Sequence, residues 1–190
     1  MRQLTYYVAS TLDNFIARED GSFDFFPMEG DHITDFLESF PETIPAHLRE
    51  AMGIHAENKY FDAVLMGRKT YEVGLNIGVT NPYPQMKQYL FSRTIKKTPD
   101  ENVELISEDA VTFVKELKKQ PGKDIWLCGG GTLAATLFPE IDELIIKLFP
   151  ILLGSGIPLF SGTIKLTDLE LTKSKIYSSS VMLLHYQVKR

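Results

Sequence analysis

The 190-residue chain is 44% hydrophobic and 24% charged, the composition of a globular protein that can bury a core without cross-links. A net charge of -5 with no basic run excludes a broad nucleic-acid surface, and one cysteine, Cys128, excludes an intrachain disulfide framework and any multi-cysteine zinc site. The most apolar run, Leu144 to Gly154, carries Lys147 and Pro150 and is too short to span a bilayer, and the start of the chain lacks a signal peptide's apolar stretch. The expectation is a cytoplasmic protein, one domain over residues 1–190, without membrane or nucleic-acid partners.

Leu4 to Ser10 reads as the first strand, rich in β-branched and aromatic residues. A short apolar element at Phe15 to Ala17 and a turn at Asp20-Gly21 follow. Ile33, Phe36, Leu37 and Phe40 recur at helical spacing over His32 to Phe40, and Leu48, Met52 and His55 continue that pattern in a second helix. Asp62 to Gly67 is a short buried strand, and Arg68 opens a helical turn. Gln88 to Arg93 and Val103 to Ser107 are further strands. Ser107 then caps a helix with Glu108 and Asp109 in its first turn and Lys115, Lys118 and Lys119 near its end, an order that complements the helix dipole. Asp124 to Cys128 is a strand, three glycines follow, and Thr132 to Phe138 is helical. Glu143 to Leu153 reads as one long apolar strand, and Leu166 to Tyr177 pairs with Val181 to Lys189 across a turn at Ser178-Ser179-Ser180.

Strands alternating with helices, closed by strands alone, predict an α/β fold: three layers, α/β/α, with a mostly parallel central sheet and an antiparallel C-terminal hairpin. In such sheets ligands bind beyond the carboxyl ends of the strands. Three strand ends carry the same chemistry. Gly67, Arg68, Lys69 and Thr70 follow one; Ser92, Arg93 and Thr94 another; Gly129, Gly130, Gly131 and Thr132 a third. Glycines let backbone N–H groups approach an anion, guanidinium groups bind phosphate oxygens in pairs, and a helix start adds partial positive charge. The three glycines have a second reading, as the close approach of a helix to a strand. Gly129, Gly131 and Ala134 match the dinucleotide spacing G-x-G-x-x-A, but late in the chain and without the acidic residue that would hold a ribose. Basic residues at the neighbouring strand ends favour NADPH over NADH.

These residues resemble the dihydrofolate reductase-like fold, and most closely the reductase domain of the bifunctional riboflavin-biosynthesis deaminase-reductase. The resemblance rests on VASTLDNFIA from Val8, VLMGRKTYE from Val64, LFSRT from Leu90, WLCGGGTLAATLF from Trp126 and ILLGSGIPLF from Ile151. It implies an NADPH site. Ala9, Ile16 and Ala17 would line the nicotinamide end. Gly67, Arg68, Lys69 and Thr70 would hold the phosphates, Ser92 and Arg93 would approach the 2′-phosphoribose, and Gly129, Gly130, Gly131, Thr132 and Leu133 would wrap the pyrophosphate. It also implies hydride transfer to a C=N or C=O bond of a small pteridine- or aminopyrimidine-like heterocycle.

The sequence departs from that pattern in places. Cys128 stands where an acidic residue usually precedes the glycines, and Thr11-Leu12-Asp13-Asn14 replaces S-L-D-G. The zinc deaminase signature is absent, so the expectation is a stand-alone reductase-like domain. Candidate proton donors are Asp13 and Asp35. Two other functions stay open: a nucleotide-binding module without turnover, and a hydrolase using the Cys128 thiol beside a helix start. His32 could cap a helix, while His55 and His185 sit on apolar patterns. An apolar sheet with a strand-rich C-terminus suggests a homodimer.

Overall fold

The computed structural model describes residues 1–190. Its strands alternate sides with period two, so each central strand feeds two cores. Along Leu4–Thr11 (β1), Leu4 and Tyr6 pack on one face and Tyr7 on the other. Along Asp124–Gly129 (β6), Ile125 and Leu127 share the first face with Leu4, and Trp126 shares the second with Tyr7. Strands apolar on both sides belong in the middle of a sheet covered by helices.

The remaining strands are Phe15–Ala17 (β2), Phe61–Gly67 (β3), Lys87–Phe91 (β4), Val103–Ile106 (β5), Glu143–Phe149 (β7), Ile157–Pro158 (β8), Leu169–Ile176 (β9) and Met182–Val188 (β10). The helices are Asp31–Ser39 (α1), Ala46–Ala51 (α2), Arg68–Leu75 (α3), Ala110–Lys119 (α4) and Gly131–Leu137 (α5). The main sheet has eight strands in the order β5-β4-β3-β6-β1-β7-β10-β9. Pairs from β5 to β7 are parallel, whereas β10 runs antiparallel to both β7 and β9. β2 and β8 form a separate antiparallel pair. α1 and α3 bring Phe36 and Tyr71 to one face, and α4 and α5 bring Val114, Leu117, Ala134 and Leu137 to the other. The sheet is thus the middle of three layers, as the alternation of elements predicts. The chain builds outward from β1 through β3, β4 and β5, then returns to insert β6 between β3 and β1. That reversal places the ends of β3, β6 and β1 side by side, the usual location of a ligand crevice.

Four local expectations are corrected. α4 is capped by Asp109, whose carboxylate accepts the Thr112 N–H at 2.8 Å, rather than by Ser107. Val114 and Leu117 face the sheet. α2 ends at Ala51, short of His55, because Gly53 takes φ 64° and the Ile54 N–H returns to the Arg49 carbonyl at 2.9 Å. His55 is therefore exposed. β7 stops at Phe149, where Pro150 has no N–H to continue the ladder. His32 lies inside α1, fully buried, with Nδ1 2.8 Å from the Ser179 hydroxyl, and does not cap it.

Candidate functional site

β4, β3 and β6 are neighbours and parallel, so the three glycine- and cation-bearing segments emerge on one edge. They form a continuous wall. A Cβ added at Gly67 would lie 3.6 Å from the Gly129 carbonyl oxygen and 3.7 Å from the Gly130 nitrogen. The triplet itself divides into two roles. Gly129 has φ 137°, a backbone region that side chains disfavour, and added Cβ atoms at Gly129 and Gly130 would meet only the Thr70 hydroxyl, at 3.9 and 3.8 Å. This leaves unfilled space, faced by a hydroxyl, before the half-exposed Gly130 and the buried Gly129. Gly131 is different: its Cβ would fall 2.3 Å from the Pro158 carbonyl oxygen and 2.7 Å from Ser161 Oγ. Its own carbonyl accepts the Ser161 N–H at 3.0 Å. The packing reading therefore holds at Gly131, while the first two glycines leave room for an anion.

The cations around this wall point to solvent. Arg68 is exposed and pairs with Glu72 at 2.9 Å, and Lys69 and Arg93 are exposed without an ion pair. Ser92 is buried, and its hydroxyl accepts the N–H groups of Thr94 at 3.2 Å and Ile95 at 3.0 Å, which shapes the turn carrying Arg93. Thr132 is exposed and Leu133 half-buried on α5. Ala9 is half-buried on the neighbouring strand end. Ile16 and Ala17 lie on β2, where a Cβ at Gly156 would strike the Ala17 carbonyl oxygen at 2.3 Å.

The two carboxylates singled out as proton donors are both engaged. Asp13 accepts the Thr11 hydroxyl at 2.6 Å and the N–H groups of Leu153 at 3.0 Å and Gly154 at 2.8 Å. The Thr11 bond foremost, then that from Gly154, hold its pKa down to about 2. It therefore clamps the loop after β1 to the loop before β8 as a carboxylate. Asp35 accepts the Tyr177 hydroxyl and pairs with Lys175 at 2.9 Å. Burial acts to raise its pKa, but the Tyr177 bond and the Lys175 charge outweigh it and the net shift is downward. Both groups are poor acids at neutral pH in this arrangement.

The sheet opens on the α1 side. Cys128, Ala9 and Lys147 lie on three adjacent central strands, all project to the face of Tyr7 and Trp126, and none is fully buried. Side chains in the middle of a covered sheet keep exposure only beside a cleft. Lys147 stands directly opposite Ala9 in the β1–β7 register, with Nζ 4.2 Å from the Tyr7 ring centre. Sequence reading passed over Lys147 as an interruption of an apolar run. Its spacing of two from Ile145 and Phe149 was the signal that it faces the covered side. Cys128 is no thiolate: burial pushes its thiol up to about 11, with Tyr83 and Lys147 acting weakly downward. No histidine serves it, since His32 bonds Ser179, His185 faces Glu143 at 3.4 Å, and His47 and His55 are exposed. The geometry offers nothing to a thiol hydrolase.

Residues 2–183 match the RibD C-terminal domain. The chain belongs to that family. It is 35% identical to the protein YwjB of Bacillus subtilis (strain 168), over 97% of each chain. A solved structure from Shewanella sp. PV-4, described as a riboflavin biosynthesis protein, superposes with a TM-score of 0.70 at 25% identity, over all of both chains. A dihydrofolate reductase from Enterococcus faecalis, solved with NADP(H), superposes with a TM-score of 0.66 at 13% identity, covering 99% of this chain and 97% of the other. The RibD C-terminal domain thus has a dihydrofolate reductase-like fold here, and the glycine wall sits at its strand reversal.

Proposed function

We propose that this RibD-type domain is an NADPH-dependent reductase of a small heterocyclic substrate. The observation that carries the reading is the unobstructed space before the half-exposed Gly130 and the buried Gly129 beside it, faced by the Thr70 hydroxyl and flanked by Arg68, Lys69 and Arg93 on one sheet edge. The residues present fit a dinucleotide's phosphates: two glycines clear the approach, a hydroxyl donates, and guanidinium groups supply charge. Membership of the RibD C-terminal domain family and the fold shared with dihydrofolate reductase support the same reading.

In this proposal Gly67, Arg68, Lys69 and Thr70 bind phosphate with Gly129, Gly130, Thr132 and Leu133, and Gly131 sets the packing beneath them. Arg93 reaches the 2′-phosphate from a turn braced by Ser92. Ala9, Ile16 and Ala17 line the nicotinamide end and exclude water. The bound cofactor supplies a hydride for a C=N or C=O bond. Asp13 positions the loop between Ala9 and Ile16 rather than donating a proton, and Asp35 ties α1 to β9.

Calorimetric titration with NADPH and NADH tests this. NADPH is expected to bind at least about tenfold tighter than NADH, and Arg93→Ala to remove most of that difference, because a charge-assisted bond to phosphate is worth about 1.5–3 kcal/mol. Failure of both nucleotides to bind at millimolar concentration would refute the reductase reading.

A further inference from the structure

Lys147 is an ammonium without a counterion. It makes no ion pair and donates no hydrogen bond to the protein, whereas the neighbouring Lys175 is held by Asp35 at 2.9 Å and Lys118 by Asp142 at 2.6 Å. Two aromatic rings hold it instead: Nζ lies 4.2 Å from the Tyr7 centroid and 5.6 Å from that of Phe36. Such contacts offset part of the desolvation of a cation and leave its N–H donors unspent. Burial lowers the Lys147 pKa to about 8, with the nearby Cys128 acting the other way, so the group remains mostly protonated at neutral pH.

The acids that could have neutralised it are turned elsewhere. On α1, Asp31 accepts the Ser178 N–H at 2.8 Å and Asp35 is taken by Tyr177 and Lys175. Glu143, on the same strand as Lys147, accepts the Thr5 hydroxyl at 3.1 Å. The cleft between α1 and the sheet therefore presents donors and positive charge beside Ala9, and no free carboxylate.

We propose that Lys147 is the substrate-selecting residue of this cleft, taking a carbonyl oxygen or an anionic ring nitrogen of the heterocycle, so that the enzyme accepts dioxo (lactam) rings and rejects protonated diamino rings. This rests on the reductase reading for the identity of the site, but its physics is independent of the cofactor. An ammonium facing an acceptor gains a charge-assisted bond, whereas facing an amidinium it meets like charge in a partly dry cleft.

The test uses two probes, 2,4-dioxopteridine and 2,4-diaminopteridine, titrated calorimetrically into the full chain with and without saturating NADPH. The wild type is expected to bind the dioxo ring about ten to a hundredfold tighter, the range of one hydrogen bond to a charged group. Lys147→Met should abolish that preference by weakening the dioxo ring alone, and Lys147→Arg should keep most of it. Near-UV circular dichroism confirms that each variant is folded, and the wild-type preference needs no variant at all. A wild type that favours the diamino ring, treats the two alike or binds neither at millimolar concentration overturns the assignment, as does a folded Lys147→Met that still prefers the dioxo ring. Absence of NADPH binding overturns the reductase reading separately, and the titration without cofactor still decides the role of Lys147.

Discussion

Replacing glycines one at a time separates the two roles assigned within the triplet. At Gly131 an added methyl would sit 2.3 Å from the Pro158 carbonyl oxygen and 2.7 Å from Ser161 Oγ, well inside contact distance. One of these is backbone, so the 158–161 segment must move, and the Ser161 N–H bond to the Gly131 carbonyl at 3.0 Å is strained or lost. Overpacking costs about 1–3 kcal/mol and the hydrogen bond about 1, against a helix-propensity gain of at most about 1 for alanine in α5. The net for Gly131→Ala is a loss of about 2 kcal/mol, or a Tm drop of about 4–8 °C for a chain of this size. At Gly130 the same methyl meets only Thr70 Oγ1 at 3.8 Å, an ordinary contact. Gly130→Ala should therefore move Tm by no more than about 2 °C, while weakening NADPH binding, because its methyl occupies the open surface. Differential scanning calorimetry and nucleotide titration of both variants give the comparison. Equal Tm shifts, or a neutral Gly131→Ala beside a destabilising Gly130→Ala, would refute the division.

Asp13→Asn should lower Tm at neutral pH. Its folded pKa of about 2 lies below the ordinary 3.8, so its stabilisation is present above that ordinary value and is lost as pH falls toward about 2. The gap between wild type and variant in thermal melts should close over that window, and a gap that persists at pH 2 would refute the clamp. Lys118 is nearly buried and pairs with Asp142 at 2.6 Å while donating to the Glu140 carbonyl at 3.0 Å. Lys118→Ala leaves the half-buried Asp142 with the Leu4 N–H and Arg190 as its remaining partners, and should cost about 1–3 kcal/mol in urea unfolding. A loss below about 1 kcal/mol would place the pair among weak surface contacts. Cys128, raised from 9.0 to about 11, should react with a thiol reagent at neutral pH about a hundredfold slower than a free cysteine, two pKa units of thiolate, and reach full rate only on unfolding. Fast labelling of the native protein would show an accessible thiolate.

The order of strands and helices was legible because period-two and period-3.6 patterns are local, and so was the convergence of Gly67, Ser92 and Gly129 on one edge, which follows from parallel pairing. Element ends were less so. Ser107 and Asp109 are both good caps, and the choice depends on which side chain reaches an unpaired N–H of the first turn, which Asp109 does at Thr112. Site roles were less legible still. That Gly131 serves packing depends on Pro158 and Ser161, which β8 brings back against β2. The state of Asp13 depends on N–H groups at Leu153 and Gly154, far along the chain, and its type and position alone would equally suit an acid.

Lys147 joins these two limits. Its face follows from the alternation of Ile145, Lys147 and Phe149, a property of sequence alone. Its lack of a counterion does not, because Asp31 and Asp35 sit on a helix that packs over the same face and are withdrawn only by contacts to the β9–β10 hairpin. The turn residues Ser178 and Ser179 hold Asp31, and Lys175 and Tyr177 hold Asp35. The C-terminal hairpin therefore does more than extend the sheet. By tying up the acids of α1 it leaves the cleft cationic, and on the proposed reading it would help set which heterocycles the cleft takes. Substitutions in the hairpin that free Asp35, such as Tyr177→Phe combined with Lys175→Met, should lower the preference for the dioxo ring without touching the cleft itself. Unchanged selectivity in that double variant would show that the charge of Lys147 acts alone.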